Sequence, residues 1–373
     1  MIWSGSRKPR FFYGYVVVTI ALCIFLVADG IFYSFGVFFE PVLTEFNWTR
    51  MVVSGAFSVS IMLLGLLSIG IGKLNDRFGP RILLTGCGFF LGLGYMLLSQ
   101  IDAVWQLYLF FGVLIGIGES AFIIPLQSTV ARWFVKRRGM MTGIATAGIG
   151  LGQVIMPPVS SQLISIYGWR ISYIIVGIIA LVFIILAAQF LKRDPGQMGL
   201  SPYGENESEE ENLVLQERGV SLREAMNTRR LWLLSAISFC HYFSPAVVMV
   251  HVVIHATGLG IAILGAANIL AIIGVGGITG RVIMGVVADR IGNKLALIIC
   301  FILMSLALVW LMVIKELWMF YSFAAVFGIG YGGISALRSP VTAELFGLKS
   351  HGVILGLGFL SSCIGGVIGP VLA

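Results

Sequence analysis

The sequence predicts an all-α membrane protein that contains two copies of a six-helix unit. Its 373 residues are 58% hydrophobic and only 11% charged, with a mean hydropathy of +0.99, which is more apolar surface than a water-soluble domain can bury. Eleven apolar runs reach the roughly 20 residues that a helix needs to cross a bilayer. A charged turn at 72–81 recurs at 285–294, where Gly, Asp, Arg and Gly all return at one offset (285 − 72 = 213).

The predicted spans one to eleven cover, in chain order, 14–39, 50–72, 81–100, 104–132, 139–162, 169–191, 230–256, 261–288, 294–314, 317–345 and 351–373. The segment 192–229 is polar and acidic, and it shows no apolar periodicity before Val220. We therefore predict a first bundle at 1–191, a flexible cytoplasmic linker at 192–229 with at most one short surface helix, and a second bundle at 230–373.

The repeat extends beyond the charged turn. The same offset carries Gly139 to Gly352 and Pro157 to Pro370, which pairs span five with span eleven. Two parallel copies of this kind are typical of two halves related by an axis along the membrane normal. Span six then predicts a partner near 382–404, beyond residue 373, so we expect eleven of twelve transmembrane helices here. Either the product is truncated or the second bundle has lost its last helix.

Lysine and arginine are divided unequally between the two sets of loops. One set holds 19 of these residues and the alternate set holds 3, which predicts a multi-pass protein with a cytoplasmic N-terminus and linker. The net charge of +7 is spread over many short loops, so it forms no patch for nucleic acid. The five cysteines lie in apolar runs without paired or metal-like spacing, and we predict that they are packing residues.

The pattern Gly-x-x-x-Asp-Arg-x-Gly-x-Arg/Lys after spans two and eight resembles that of the major facilitator superfamily. Within it, three stretches are similar to the monocarboxylate transporters and their bacterial relatives, the oxalate/formate antiporters. They are 13–17 with 34–39 in span one, 133–139 before span five, and Arg281 with 284–285 in span eight. The resemblance implies a secondary transporter of the bacterial inner membrane that works by alternating access.

Three positions depart from these relatives. Tyr33 stands where animal members carry a lysine, and Gly277 stands where they carry an aspartate one turn before the span-eight arginine. The segment 361–363 is Ser-Ser-Cys where the antiporters have a lysine. The substrate stays open between lactate, formate and oxalate, and the mode stays open between symport and antiport.

Four charged residues lie inside predicted spans, where an ionisable group is costly and is a functional candidate by default. Arg281 is the first candidate for binding substrate, because a guanidinium matches a carboxylate with two hydrogen bonds and keeps its charge. Asp29 and Glu119 are candidates for proton coupling, since a carboxyl at low dielectric can take up a proton unless an arginine holds it charged. The alternative for all of them is a set of fixed structural ion pairs.

Further substrate-binding candidates share helix faces with these groups. Arg338 lies toward the cytoplasmic end of span ten, where the alternatives are a place in the inner gate or a side chain that reaches the surface. Tyr331 precedes Arg338 by two helical turns and shares its face, and Tyr33 follows Asp29 by four residues. Either tyrosine is otherwise a core residue.

Span seven carries three histidines in one stripe. His251 lies 80° from His241 around the helix, and His255 lies 40° from His241, at 100° per residue. A stripe of imidazoles in an apolar helix favours a polar cavity wall, and the spacing does not suit zinc. His251 is similar to a cavity residue of the monocarboxylate relatives, so it joins the substrate-binding candidates. Pro245 is predicted to kink this helix.

The cytoplasmic ends of the spans carry candidates for an inner gate. We predict that its charged residues pair when the cavity faces outward and separate when it faces inward. Arg132 closes span four and Glu344 closes span ten, so the two are separated by nearly the repeat offset (344 − 132 = 212). The six candidates are Asp76, Arg77, Arg132, Asp289, Arg290 and Glu344.

The sequence therefore predicts a monomeric transporter that moves a small organic anion with a proton or a counter-anion and needs no cofactor or metal. Three alternatives stay open: an exporter of apolar compounds, favoured by the 12% aromatic content, a non-transporting receptor, and a truncated inactive fragment. An enzyme is disfavoured because the chain shows no nucleophile–base constellation.

Overall fold

A computed structural model describes residues 12–204 and 220–372 of the chain. Ten of the helices in these ranges are long and apolar enough to cross a membrane. The long helices are Gly14–Tyr33 continued by Phe35–Phe46, Arg50–Phe78, Pro80–Leu98, the segmented Val104–Trp133, Arg138–Gln189, Arg229–Gly258, Ile263–Ile291, Asn293–Leu311, Leu317–Phe346 and His351–Leu372. Apolar runs form helices in a bilayer because only a helix or a closed barrel satisfies every backbone polar group there.

Eleven predicted spans correspond to ten helices because spans five and six are joined in the 52-residue helix Arg138–Gln189. Gly168 interrupts it with φ 76° and ψ 163°, a backbone conformation that glycine adopts without a steric penalty. The predicted loop at 163–168 is thus reduced to a one-residue break. The all-α membrane fold is confirmed, and we keep the predicted span numbers below, with span five before Gly168 and span six after it.

The charged turn that organised the sequence is a break of one residue between two helices. Gly79 ends span two at φ 81°, and Pro80 begins span three. Proline suits the first helical position because its ring presets φ and the missing N–H would have no partner there. The second copy repeats this geometry, with Gly292 at φ 91° between spans eight and nine.

The buried apolar side chains form two large clusters. One consists of residues from Val17 to Leu191 and the other of residues from Ala225 to Ile354. A smaller cluster joins the two, with Leu64 of span two against Phe359 and Cys363 of span eleven. We call the part up to residue 191 the first half and the part from residue 230 the second half.

The two halves cross at repeat-related glycines. A Cβ atom added at Gly352 would lie 2.7 Å from the carbonyl oxygen of Gly72, and one added at Gly139 would lie 2.6 Å from that of Gly285. The offset of 213 turns the first pair into the second, because it carries Gly72 to Gly285 and Gly139 to Gly352. Spans two and eleven therefore cross as spans eight and five do, which is the contact pattern of a pseudo-two-fold axis.

Both described ends of the linker are attached to a bundle. The backbone N–H groups of Val135 and Lys136 donate to the carbonyl oxygen of Tyr203, which fixes 192–204 to the first half. On the other side, a short helix at Leu222–Met226 begins with a capping box, in which the backbone N–H of Ser221 donates to Glu224 and lowers the pKa of that carboxyl. Of the linker predicted to be flexible at 192–229, residues 205–219 lie outside the described residues.

Gly168→Ala tests the break between spans five and six. A β-carbon forces the positive φ into strain, so we expect the free energy of unfolding to fall by about 1–3 kcal/mol. Thermal unfolding of the purified protein in detergent measures the change. Gly86→Ala is the matched control, since position 86 is helical with open space around it and the change is expected to stabilise by roughly 0.4–1 kcal/mol. Equal melting temperatures for both variants would contradict this account.

Candidate functional site

A cavity of about 190 Å³ lies between the two halves and contains all four charges predicted to be embedded. The first half contributes Asp29 from span one and Glu119 from span four. The second half contributes Arg281 from span eight and Arg338 from span ten. The cavity thus has one acidic wall and one basic wall, and each wall belongs to one half.

Arg281 is 3% exposed, and its guanidinium lies against an aromatic ring. The guanidinium carbon is 5.8 Å from the ring centroid of Tyr331, a geometry that permits cation–π attraction. Its Nε has no hydrogen-bond partner. The guanidinium is close to span five as well, since a Cβ at Gly150 would lie 3.0 Å from its Nη1. Arg281 is therefore packed from two sides and still has an unused donor.

Arg338 is 5% exposed, so its side chain does not extend to the surface. Its Nη1 donates to the hydroxyl oxygen of Ser362 at 2.9 Å, and its guanidinium carbon lies 5.6 Å from the ring of Tyr242 and 5.3 Å from that of Phe359. Its Nε also lacks a hydrogen-bond partner. Span eleven thus orients this second cation toward the cavity.

The two carboxyls are buried without a direct ionic partner. Asp29 is 7% exposed and Glu119 is 4% exposed, and one oxygen of each has no hydrogen bond. Among the described residues, no ion pair within 4.0 Å joins either acid to Arg281 or Arg338. The fixed pairs that the sequence left open as an alternative are absent from these four side chains, and the charges act across the cavity instead.

Span four changes its helical form next to Glu119. A π-helix at Tyr108–Ile115 precedes the α-helical turn Gly116–Glu119, and residues 120–122 form a turn before the helix resumes at Ile123. Stretches of π-helix often occur at functional sites because the wider turn redirects side chains. The continuous helix predicted at 104–132 is thus segmented where its one acid enters the cavity.

Both tyrosines among the substrate-binding candidates line the cavity. Tyr331 stacks on His241, with ring centroids 5.1 Å apart and planes at 24°, and Ser335 lies 3.1 Å from the same imidazole. Tyr33 lines the cavity and is 44% exposed. His241 itself is fully buried, so it supports the wall from behind.

The predicted histidine stripe does not reach the cavity as a unit. Among the described residues, His251 is half-buried and is not part of the cavity lining, and His255 is exposed and packs against Phe320. Pro245 lies between His241 and His251 and lines the cavity. At 1.5 Å per residue, His251 lies about 15 Å and His255 about 21 Å along the helix from His241, so a shared face does not bring all three to one cavity.

Three polar residues of this region were not among the predicted site residues: Gln127 and Tyr242 line the cavity, while Ser362 is not part of its lining. Gln127 lines the cavity, is 2% exposed and has an unpartnered side-chain oxygen. Tyr242 and Ser362 both contact Arg338. Each is an uncharged polar residue in a largely apolar span, which is a weak signal, because such groups often only bond the preceding helical turn.

The end of the molecule that carries residues 72–81 and 285–294, here named the charged-turn end, is closed by contacts between the halves. Asp76 accepts hydrogen bonds from the backbone N–H groups of Gly352 and Val353 at 3.3 Å, and it forms a 3.0 Å salt bridge with Arg132. Arg132 also donates to the carbonyl oxygen of Leu348. A carboxylate at a helix N-terminus is stabilised by the unpaired N–H groups and the helix dipole.

The second charged turn repeats this arrangement. Asp289 accepts hydrogen bonds from the backbone N–H groups of Gly139 and Met140, both at 2.8 Å, at the start of span five. The other gate candidates are placed differently. Glu344 accepts a 2.7 Å hydrogen bond from Asn293 within the second half, while Arg77 and Arg290 are exposed, with no ion pair to another described residue.

Comparison with known proteins gives one family and several relatives. The Major Facilitator Superfamily matches residues 20–373. The chain is 29% identical to the uncharacterized MFS-type transporter YhjX of Escherichia coli (strain K12) over 83% of this chain and 76% of the relative. It is 26% identical to the oxalate:formate antiporter of Oxalobacter formigenes, over 99% of this chain and 86% of the relative. It is 28% identical to monocarboxylate transporter 13 of Bos taurus, over 99% of this chain and 84% of the relative.

A solved structure matches the fold. It is the proton:xylose symporter XylE bound to 6-bromo-6-deoxy-D-glucose, with a TM-score of 0.76 over 96% of this chain and 87% of that chain. The sequence identity is 16%, so this likeness concerns the architecture alone.

Asp76→Asn tests whether the carboxylate holds the charged-turn end closed. Removing the charge weakens its hold on the span-eleven N-terminus by about 1 kcal/mol, so that the closed form opens several-fold more often. The probe is Ser339→Cys in a background without the five native cysteines, because Ser339 is fully buried and its hydroxyl donates to the carbonyl oxygen of Gln127 across the halves. We expect a soluble maleimide to label the probe several-fold faster.

Two further variants act as controls for this labelling. Asp289→Asn removes the repeat-related carboxylate and is expected to speed labelling in the same way. Asp102→Asn removes an acid whose side chain is 80% exposed at the opposite end, so it leaves the rate unchanged. A rate that does not respond to Asp76→Asn or Asp289→Asn means that these acids do not hold the halves together.

Proposed function

The chain belongs to the Major Facilitator Superfamily and is a membrane transporter of the secondary kind, and on that premise we propose that it carries a small organic anion. Monocarboxylates such as lactate, and oxalate or formate, are the substrates that fit best. The observation that carries this proposal is the pair of buried arginines on one cavity wall, each with a free donor and neither in contact with a carboxylate of the described residues.

Arg281 is the main anion-binding group in this proposal. Its planar guanidinium suits a carboxylate, because two parallel N–H donors match two oxygens. The Tyr331 ring and the close approach of span five limit its rotamers, so less side-chain entropy is lost when the anion binds. Arg338, which Ser362 orients, supplies a second positive charge for the same anion or for a second carboxylate.

Tyrosines complete the proposed substrate site. Tyr331 and Tyr33 line the cavity and offer hydroxyl groups to the polar end of the substrate. His251 stays a prediction of the family resemblance and lies outside the cavity lining, while His241 supports Tyr331.

The cavity volume favours a small substrate over the alternative of a bulky apolar compound. Pockets that bind drug-sized molecules measure about 300–1,000 Å³, and this cavity measures about 190 Å³. Four buried ionisable groups also disfavour an apolar occupant, since such an occupant would leave them without polar partners. Its remaining wall is aromatic and aliphatic, which suits the short carbon chain of a monocarboxylate.

Proton coupling would involve Asp29 and Glu119 on the opposite wall. An anion that enters beside two carboxylates is repelled unless one of them takes up a proton, so a proton would travel with the substrate. A counter-anion in exchange is the other mode that this charge arrangement allows. The choice between symport and antiport rests on transport measurements in proteoliposomes.

Alternating access would rely on the contacts at the charged-turn end. With a cytoplasmic N-terminus in an inner membrane, this end faces the cytoplasm, and the described conformation is closed on that side. Three contacts between the halves would break when the halves rock to face inward: Asp76 with the start of span eleven, Arg132 with the carbonyl oxygen of Leu348, and Asp289 with the start of span five. The salt bridge between Asp76 and Arg132 lies within the first half and holds both side chains in place. Arg77, Arg290 and Glu344 would then act as surface charges of the gate rather than as its ionic contacts.

Arg281→Ala tests the substrate assignment. Truncating one partner of a buried, hydrogen-bonded charge pair typically costs about 2–5 kcal/mol, so we expect affinity for a small carboxylate to fall roughly 30-fold or more. Uptake of radiolabelled lactate, formate and oxalate into proteoliposomes, together with ligand-induced thermal shifts of the purified protein, measures the loss.

Arg281→Lys is the matched variant, because it keeps the charge and removes the planar fork. It is expected to retain weak binding with a reduced rate of uptake. Uptake by Arg281→Ala at the rate of the unmodified protein, for the carboxylate that the unmodified protein transports best, would rule out Arg281 as the anion-binding residue.

A further inference from the structure

Arg281 has no acidic partner within its own half. The second half contains three acids, Asp289, Glu316 and Glu344, and all of them lie at helix ends. Position 277, four residues before Arg281 and on the same helix face, is glycine. A Cβ placed there would lie 3.6 Å from Nη1 of Arg281, so a side chain at 277 would touch the guanidinium. The counter-charge of Arg281 must come from elsewhere.

Asp29 is the acid of the first half that interacts electrostatically with Arg281. Both side chains line the same cavity, both are more than nine-tenths buried, and both have an unpartnered polar atom. Glu119 differs, because it interacts with Asp29 and lies on the same acidic wall. The charged and titratable groups within electrostatic reach of Asp29 are Arg281, Glu119, Tyr33, Tyr95 and Tyr242.

We infer that Asp29 is the counter-ion of Arg281 in the empty transporter and that the substrate carboxylate takes its place. The counter-ion role of Asp29 rests on the geometry of the cavity. Its replacement by a substrate carboxylate rests on the proposed function. A buried guanidinium without a counter-charge is strongly destabilising, so the empty protein needs the Asp29 charge opposite Arg281. Because the two residues belong to different halves, this attraction links the halves across the cavity.

The roles of the two acids then separate. When a carboxylate binds Arg281, Asp29 loses its counter-charge and faces Glu119, and two neighbouring acids at low dielectric favour sharing one proton. Asp29 is a positioning residue for Arg281 and a competitor of the substrate. Glu119 is not needed to neutralise Arg281.

Moving the carboxylate from position 29 to position 277 tests whether Asp29 is the counter-ion of Arg281. Asp29→Asn leaves Arg281 without a counter-charge and is expected to lower the melting temperature of the substrate-free protein by about 3–6 °C. Adding Gly277→Asp to Asp29→Asn supplies a carboxylate on the same face of span eight and is expected to restore the melting temperature. Adding Gly277→Asn instead introduces the same volume without the charge, so it does not restore it.

Glu119→Gln is the matched control for the removal of a buried acid. It takes away a charge that Asp29 repels, so the melting temperature is expected to stay the same or rise. A fall as large as that of Asp29→Asn, or full restoration by Gly277→Asn, would overturn the assignment of Asp29.

Ligand binding tests whether the substrate carboxylate takes the place of Asp29. The affinity for a carboxylate is expected to rise in one variant and to fall in the other. Asp29→Asn removes the competitor of the substrate, so thermal-shift titration with lactate, formate and oxalate is expected to show several-fold tighter binding. Asp29→Asn with Gly277→Asp fixes a competitor beside Arg281, so binding is expected to be several-fold weaker than in the unmodified protein. Weaker binding by Asp29→Asn than by the unmodified protein would contradict the exchange.

The two sets of measurements also separate this inference from the proposed function. The melting temperatures without ligand depend on the Asp29–Arg281 attraction whatever the substrate is. If no small carboxylate shifts the melting temperature of any variant while the ligand-free pattern holds, the proposed substrate class is wrong and the counter-ion stands. If carboxylates bind through Arg281 but Asp29→Asn is as stable as the unmodified protein, the counter-ion is wrong.

Discussion

A buried charge must be balanced by another charge, and this constraint governs the centre of the molecule. The first half contributes two acids to the cavity and the second half contributes two arginines, so neither half can neutralise its own wall. The charges balance only when the halves face each other, or when protons and an anion replace the missing partners. In the proposed function, conformation, protonation and anion binding are therefore linked through one electrostatic balance, as coupled transport requires.

The contacts between the halves are symmetric at the charged-turn end, whereas the charged residues of the cavity are not. At the charged-turn end, Asp76 and Asp289 each bond the start of a helix in the other half, and glycines bring the backbones close. Repeat-related contacts of this kind place both crossings at the same end of the molecule. In the cavity the repeat is broken, because Arg281 and Arg338 have no basic counterparts in the first half. Both cations of the proposed anion site therefore come from the second half alone.

Much of the fold follows from the sequence, because a bilayer allows few structures and the offset of 213 aligns the copies. The segmentation of span four, the one-residue break at Gly168 and the exclusion of His251 from the cavity lining did not follow. Each depends on local backbone geometry, which hydropathy does not report. The four embedded charges were predictable from their cost in lipid, whereas their separation across a cavity depends on packing distances between helices that are far apart in sequence.

The central claim is that a substrate carboxylate binds Arg281 in the cavity between the halves. The most direct measurement is a structure of the protein determined with saturating lactate, formate or oxalate. The account predicts that the carboxylate forms two hydrogen bonds with the guanidinium of Arg281, within reach of Tyr331 and with Asp29 turned away from the arginine. An anion bound elsewhere, with the Arg281 guanidinium still unoccupied, would contradict it.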